Sequence, residues 1–345
     1  MWGISLQRKS GVTVSRQIYL ALRERILSSD LKPGDALPST RELAKILAVS
    51  RNTTCEAYEM LSAEGYLTSR QGAATRVAGD IDFEAGPPTA DVPPEKRPVQ
   101  EYLVDFRTGQ PDLEAFPKHA WLQAMHRGAG ALPSRYWGYT GPDGLEELRS
   151  EIAAWLLRSR GMKVLPDDIF ISSGATQALH LLTDVLYREG SPHIIVEDPC
   201  HSGMLRVLQN RGFRICPVPV DRQGIQTNLL TRLNPGAIYV TPSHQFPLGG
   251  ILPAGRRTAL VRYARQHQQY IIEDDYDSEF RYSGSPVAPL HTLDPQRVIY
   301  VGTFSKILFP SIRIGYVILP GSLQAGWRKL RTFNDVQSPP FQQAA

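Results

Sequence analysis

The stretch from residue 271 to residue 306 restricts the possible folds most. Ile271-Ile272-Glu273-Asp274-Asp275-Tyr276-Asp277-Ser278-Glu279-Phe280 comes first, and Val301-Gly302-Thr303-Phe304-Ser305-Lys306 closes it. Both pieces have one grammar, a short apolar run and then polar side chains. An apolar run without alternation reads as a strand covered on both faces, as in a parallel sheet, and open α/β sheets bind ligands at the carboxyl ends of such strands. Ile194-Ile195-Val196-Glu197-Asp198-Pro199 and Ile238-Tyr239-Val240-Thr241-Pro242 repeat the pattern. From Val104 onward helical and strand-like segments alternate, which predicts a mainly parallel sheet with crossover helices and several polar groups converging on one crevice.

A chain of 345 residues is long for one domain, so two are expected. No apolar run reaches membrane-spanning length and the first residues have no apolar core for a secretion signal, so a cytoplasmic protein with no membrane partner is expected. Cys55, Cys200 and Cys216 are odd in number and widely spaced, which argues against a disulfide framework and against a metal site. The net charge of +4 is too mild to indicate nucleic acid by itself. Any case for DNA rests on a motif.

That motif lies in residues 12–78. Ile18, Leu22, Ile26 and Leu27 fall at helical spacing, and Lys32-Pro33-Gly34 ends the segment. Ser39 followed by Glu42 is a capping box, opening a second helix that runs to about Leu47. After a turn at Ala48-Val49, Ser50 caps a third helix beginning Arg51-Asn52-Thr53. Two short helices joined tightly make a helix-turn-helix whose polar first turn faces base edges and phosphates; arginine and asparagine suit guanine and adenine edges. Gly65 to Val77 reads as two short strands around a tip near Gly72, a wing. The run from Leu31-Lys32-Pro33-Gly34 through Pro38-Ser39-Thr40-Arg41-Glu42 to Ala44, then Val49-Ser50-Arg51-Asn52-Thr53 and Ala57-Tyr58-Glu59-Met60-Leu61, resembles the GntR winged-helix family. The resemblance implies contacts to a double-stranded DNA operator from Arg41, Ser50, Arg51, Asn52 and Thr53 and from the wing at Gly72. Its wing tip departs from the family's usual turn, with Gln71-Gly72-Ala73-Ala74-Thr75 in its place.

Residues 79–104 change character. Gly86-Pro87-Pro88, Pro93-Pro94 and Pro98 sit among charged residues without apolar periodicity, a semi-rigid linker. Residues 105–345 form the second domain.

There, a carboxylate and a lysine delivered to one crevice are what pyridoxal 5'-phosphate (PLP) requires. The amine condenses with the aldehyde, and the carboxylate keeps the pyridine nitrogen protonated so that the ring serves as an electron sink. Phe170-Ile171-Ser172-Ser173-Gly174-Ala175-Thr176 is a strand, a small-residue turn and a helix start, which exposes amides suited to phosphate. With Glu197-Asp198-Pro199, Thr241-Pro242-Ser243-His244-Gln245-Phe246-Pro247, Glu273-Asp274-Asp275-Tyr276 and Gly302-Thr303-Phe304-Ser305-Lys306 in order, the domain resembles fold-type I PLP aminotransferases. Joined to the head, it resembles the MocR subfamily of bacterial regulators. Carried over position by position, the resemblance implies that Lys306 forms the Schiff base, Asp274 pairs with the pyridine nitrogen and Tyr276 bonds the ring hydroxyl. Gly174, Ala175, Thr176, Thr303, Ser305 and Arg313 hold the phosphate, and Arg313 offers a forked donor for it. His201 takes the ring-stacking place, where the family usually has tyrosine. Tyr139 matches the tyrosine that reaches the other subunit's phosphate, which implies a homodimer. His244 and Gln245 either line the pocket or shape its turn. Cys200 reads as an inert thiol, since no basic partner is evident.

In the family a further helix-and-sheet lobe follows this domain, carrying an arginine for the ligand's carboxylate. The sequence stops at Ala345, so that C-terminal lobe is expected to be missing, with Trp121 and Trp327 left exposed where it would pack. The expected function is a PLP-responsive transcription regulator sensing an amino acid or amine. The alternative is an aminotransferase with an accessory DNA-binding head, in which Lys306 also shuttles protons.

Overall fold

The structure, a computed structural model, describes residues 4–7, 10–69, 73–81, 104, 109–189, 192–230, 236–280 and 287–345. Gly72 and most of the expected linker lie outside the described residues. The chain divides into two compact units, Met1–Glu101 and Tyr102–Ala345.

The first unit holds α1 (Val14–Leu27), α2 (Thr40–Leu47) and α3 (Arg51–Ala63), then a two-stranded hairpin, β1 (Leu67–Thr68) and β2 (Arg76–Val77). Each helix starts where a side chain replaces the missing backbone partner. Ser39 Oγ accepts from Glu42 N at 3.2 Å while Glu42 accepts from Ser39 N at 2.9 Å, closing the capping box. Ala48 ends α2 in the left-handed region, φ +52°, which turns the chain within two residues to Ser50. Ser50 Oγ then accepts from Thr53 N at 3.2 Å. Ile18, Leu22, Leu43, Ala57 and Leu61 are fully buried and pack the three helices together. Thr54 Oγ1 donates to Thr40 O at 2.8 Å and pins α3 to the start of α2.

The second unit begins with α4 (Lys118–Ala131) and α5 (Glu146–Arg160). It continues through β3 (Ile169–Ser172), α6 (Ala175–Glu189), β4 (His193–Asp198), α7 (Ser202–Arg211), β5 (Arg214–Asp221), β6 (Gly224–Ile225), β7 (Ala237–Val240), α8 (Ala254–Gln266), β8 (Tyr270–Asp275), β9 (Val298–Thr303), β10 (Gly315–Ile318), α9 (Gly321–Asn334) and α10 (Pro340–Ala344). Eight strands form one sheet in the order β3-β10-β9-β8-β7-β4-β5-β6. The neighbours from β9 across to β5 are parallel, and β10 and β6 are antiparallel to their partners. The sheet is therefore mainly parallel with helices on both faces, as the continuous apolar runs predicted.

Alternation along β8 sends neighbouring side chains to opposite faces. Ile272 belongs to the core under α6, α7 and α9, and Ile271 to the core under α8. Asp274 continues the first set and Asp275 the second. One expectation fails here. Trp327 of α9 is 0% exposed, its ring 6.1 Å from that of Phe170, because the apolar side of α9 closes over the sheet. Trp121 is half-buried against Phe116 and Phe309. Among the described residues no helix is long and apolar enough to cross a membrane.

Candidate functional site

At the carboxyl ends of the parallel strands the polar groups do meet. Lys306 lies three residues beyond β9, and Asp274 near the end of β8 acts on it electrostatically. Burial lowers the Lys306 ammonium below its ordinary pKa, with Asp274 and Asp277 pulling the other way. The free amine is the form that attacks an aldehyde, and burial shifts the balance toward it. Lys306 Nζ donates to Gly109 O at 2.8 Å, and Gly109 adopts φ +82°, a left-handed conformation that favours glycine.

Asp274 is pushed up to about 6 by burial, against the lowering effect of a hydrogen bond from Tyr239. Tyr239 Oη donates to Asp274 Oδ2 at 2.6 Å, and Asp274 Oδ1 is buried with no hydrogen-bond partner. Asp275 is the instructive neighbour. Its Oδ2 takes Tyr300 Oη at 2.5 Å and Arg160 Nη2 at 2.9 Å, so its charge is matched on the opposite face, although its Oδ1 too is without a partner. For Asp274 no cation stands within hydrogen-bond distance among the described residues.

Tyr276 is half-buried, its ring 6.0 Å from that of Phe246, and Phe246 lies 5.5 Å from the His201 ring. Burial raises the Tyr276 hydroxyl. His201 caps α7 through its ring, Nδ1 accepting from Met204 N at 3.2 Å, and burial first, then Lys306, lowers its pKa. It is thus a neutral imidazole beside the amine.

Across the crevice, Gly174 adopts φ +88° at the start of α6, and a Cβ there would meet the Arg313 guanidinium at 2.9 to 3.0 Å. Arg313, itself left-handed at φ +53°, donates to Ser173 O. Ala175 N stands at the mouth of α6, Thr176 is exposed on its first turn, and Thr303 Oγ1 lies 3.1 Å from Ser305 Oγ. A forked cation, two hydroxyls and a helix amino end therefore line one cradle, the donor set an anion such as phosphate needs. An unmatched buried carboxylate, a nearby amine and this cradle fit the three reactive parts of PLP. Tyr139 is not brought into this set; it is 89% exposed.

The remaining alternatives resolve by contact. Gln245 is buried and donates to Pro199 O at 2.8 Å and to Phe246 O at 2.7 Å, so it shapes the turn. His244 Nδ1 lies 2.9 Å from Asp277 Oδ1 at the crevice edge. Burial pushes the Cys200 thiol up to about 11, an inert state at neutral pH. Gly109, Tyr239 and the Arg160–Asp275 pair were not singled out by sequence reasoning. Tyr239 carried no signal of its own, since it reads as one more apolar strand position.

In the head, Arg41, Ser50, Arg51 and Asn52 are exposed and Thr53 is half-buried. Arg51, Asn52 and Thr53 open α3. Arg41 projects from α2, so the residues expected to face DNA share the helix-turn-helix.

Comparison with known proteins agrees with both halves. The family described as "Bacterial regulatory proteins, gntR family" matches residues 14–77, and "Aminotransferase class I and II" matches residues 101–345. "Probable rhizopine catabolism regulatory protein MocR" of Rhizobium meliloti is 36% identical over 342 residues, covering 94% of this chain and 69% of that protein. The chain belongs to the MocR subfamily of GntR-type transcriptional regulators. The "HTH-type pyridoxine biosynthesis transcriptional regulator PdxR" of Corynebacterium glutamicum is also 36% identical, over 92% of this chain and 68% of its own. This MocR-type chain is a helix-turn-helix regulator with an aminotransferase-like domain; GntR regulators bind DNA operators. Among solved structures, an archaeal alanine:glyoxylate aminotransferase superposes with TM-score 0.63 at 30% identity, covering 68% of this chain and 60% of that one. LysN, the α-aminoadipate aminotransferase of Thermus thermophilus, solved with N-(5'-phosphopyridoxyl)-L-leucine, gives TM-score 0.63 at 27% identity, 69% and 62% covered. The chain spans about three fifths of the length of these enzymes.

Proposed function

We propose that this regulator binds PLP as a Schiff base on Lys306 and uses it to sense an amino acid or amine, changing the affinity of its heads for a duplex operator. The observation that supports this best is Asp274 Oδ1, a buried oxygen without a hydrogen-bond partner on a carboxylate that interacts electrostatically with Lys306. In this reading Asp274 holds the pyridine nitrogen, Tyr276 the ring hydroxyl and His201 the ring face. Gly174, Ala175, Thr176, Thr303, Ser305 and Arg313 hold the phosphate, and Tyr139 reaches the other subunit's cofactor in a homodimer. Arg41, Ser50, Arg51, Asn52, Thr53 and the wing at Gly72 contact the operator. Residues 79–104 serve as the linker between a head at 12–78 and a cofactor domain at 105–345, and the protein acts in the cytoplasm. A bound effector shifts an equilibrium only through its different affinity for the two arrangements of the heads.

A gel-shift series on the gene's upstream region, with and without PLP and candidate amines, tests this. An operator affinity indifferent to both would refute it. The likeness to solved aminotransferases keeps a second reading, a transaminase with an accessory head. Steady-state transamination at ordinary enzymatic rates would favour that reading over the regulator.

A further inference from the structure

We propose that Tyr239 is a positioning residue of the crevice, its hydroxyl holding one oxygen of Asp274 so that the other is offered to the ring nitrogen of a pyridoxal ligand. This rests on the PLP reading above and assigns a role to a side chain whose hydroxyl bonds Asp274.

The sheet register creates the contact. β7 pairs with β8 in parallel, with Tyr239 opposite Ile272, so Asp274 is the diagonal neighbour two residues on and on the same face. Tyr239 is 1% exposed and Asp274 9%. A carboxylate rotates in a broad, twofold well about its last torsion, and either oxygen could face the crevice. The 2.6 Å bond removes that symmetry, because Oδ2 is spoken for and Oδ1 is left buried without a partner. The same bond draws charge from a carboxylate that burial works to neutralise. Besides the Tyr276 hydroxyl, four titratable groups interact electrostatically with Asp274: Asp275 and Asp277 on its own strand and turn, Lys306 beyond β9, and Glu197 of β4. Three of these four are acids. Tyr239 is thus the neutral donor that favours the ionised carboxylate a protonated ring nitrogen needs.

The structure also supplies a matched control. Tyr300 makes the same type of bond to Asp275, 2.5 Å and buried, but on the opposite face, where Arg160 already neutralises the charge. Loss of either hydroxyl removes one buried tyrosine–aspartate bond, and only one of the two lies toward the crevice.

The experiment titrates PLP into the full chain and its Tyr239→Phe and Tyr300→Phe variants, following visible absorbance across pH and trapping Lys306 with borohydride for mass analysis. In Tyr239→Phe the dissociation constant is expected to rise about ten- to a hundredfold, as for loss of a buried bond to a charged group. Its absorbance transition should move to higher pH, since a more basic Asp274 takes the ring proton and leaves the lysine nitrogen more basic. Tyr300→Phe is expected to match the parent in both. The double variant Tyr239→Phe, Asp274→Asn is expected to bind no more weakly than Asp274→Asn alone, because the hydroxyl acts through that carboxylate. Parent-like affinity and transition in Tyr239→Phe, equal shifts in Tyr300→Phe, or additive losses in the double variant would each overturn the proposal. No borohydride-stable adduct on Lys306 in the parent chain would overturn the PLP reading itself, and Tyr239's role with it.

Discussion

In the head, Arg41, Arg51 and Asn52 stand exposed on helices whose ends are capped by residues within three positions in sequence. In the large unit, Asp274 is buried between strands, its partner Tyr239 thirty-five positions away. One surface is built from local chemistry and can be altered a residue at a time. The other is built from long-range pairing, where each polar group depends on a partner to remain buried at all. Substitutions should therefore be graded in the head and severe in the crevice.

The largest expected effect is total. Lys306→Ala leaves no amine to condense, so mass analysis after borohydride should find no phosphopyridoxyl adduct, while operator binding by the head is retained. An adduct of unchanged yield would mean that another lysine is the anchor. Next is Arg160→Ala, which strips Asp275 of its counterion in a pair with side chains 4% and 0% exposed. Unfolding in denaturant should show a loss of about 3 to 5 kcal/mol from the large unit, and a loss below about 1 kcal/mol would show that the opposite face of the sheet tolerates an unpaired buried charge.

A third test uses pH. Burial pushes Glu197 up from 4.5 to about 7. Between those values the folded state keeps a proton that the unfolded chain has released, so stability present below pH 4.5 falls by roughly 3 kcal/mol as pH rises to 7. Glu273, also pushed up to about 7, acts in the same direction. His291, lowered by burial to about 4, acts in the opposite one, and its contribution is lost as pH falls through that value. Glu197→Gln should make the decline between about pH 5 and 7 shallower, and an unchanged slope would assign the dependence to the other groups.

The head should respond more mildly. Arg51→Ala is expected to weaken operator binding about ten- to a hundredfold in fluorescence anisotropy, with PLP absorbance unaffected. Parallel loss of both would instead indicate misfolding. Smallest is Ser39→Ala, which removes half of the capping box and should cost about 1 kcal/mol in a thermal melt of the head. A crevice substitution that proved as mild as this one would break the contrast.

The difference between the regions is also a difference in legibility. Ser39, Glu42 and Ser50 announce their helices because a cap is a contact between residues three apart, and a three-residue pattern is visible in the chain. Apolar runs ending in Asp274 or Lys306 announce parallel strands for the same reason. Tyr239 was not legible, since its meaning depends on which strand lies beside β7. The burial of Trp327 is not legible either, because no local pattern records that the apolar side of α9 folds back onto Phe170.

Sequence alone thus determined the helix-turn-helix and the mainly parallel sheet, because caps, turns and apolar periodicity are short-range properties, while the resemblance to fold-type I aminotransferases is what pointed to the set of residues for a pyridoxal cofactor. Tertiary structure alone decided which of two adjacent aspartates is matched and which is left open. Strand alternation sends Asp275 to Arg160 and Asp274 to the crevice, and only the packing of both faces shows that the second carboxylate has no cation of its own within hydrogen-bond distance among the described residues.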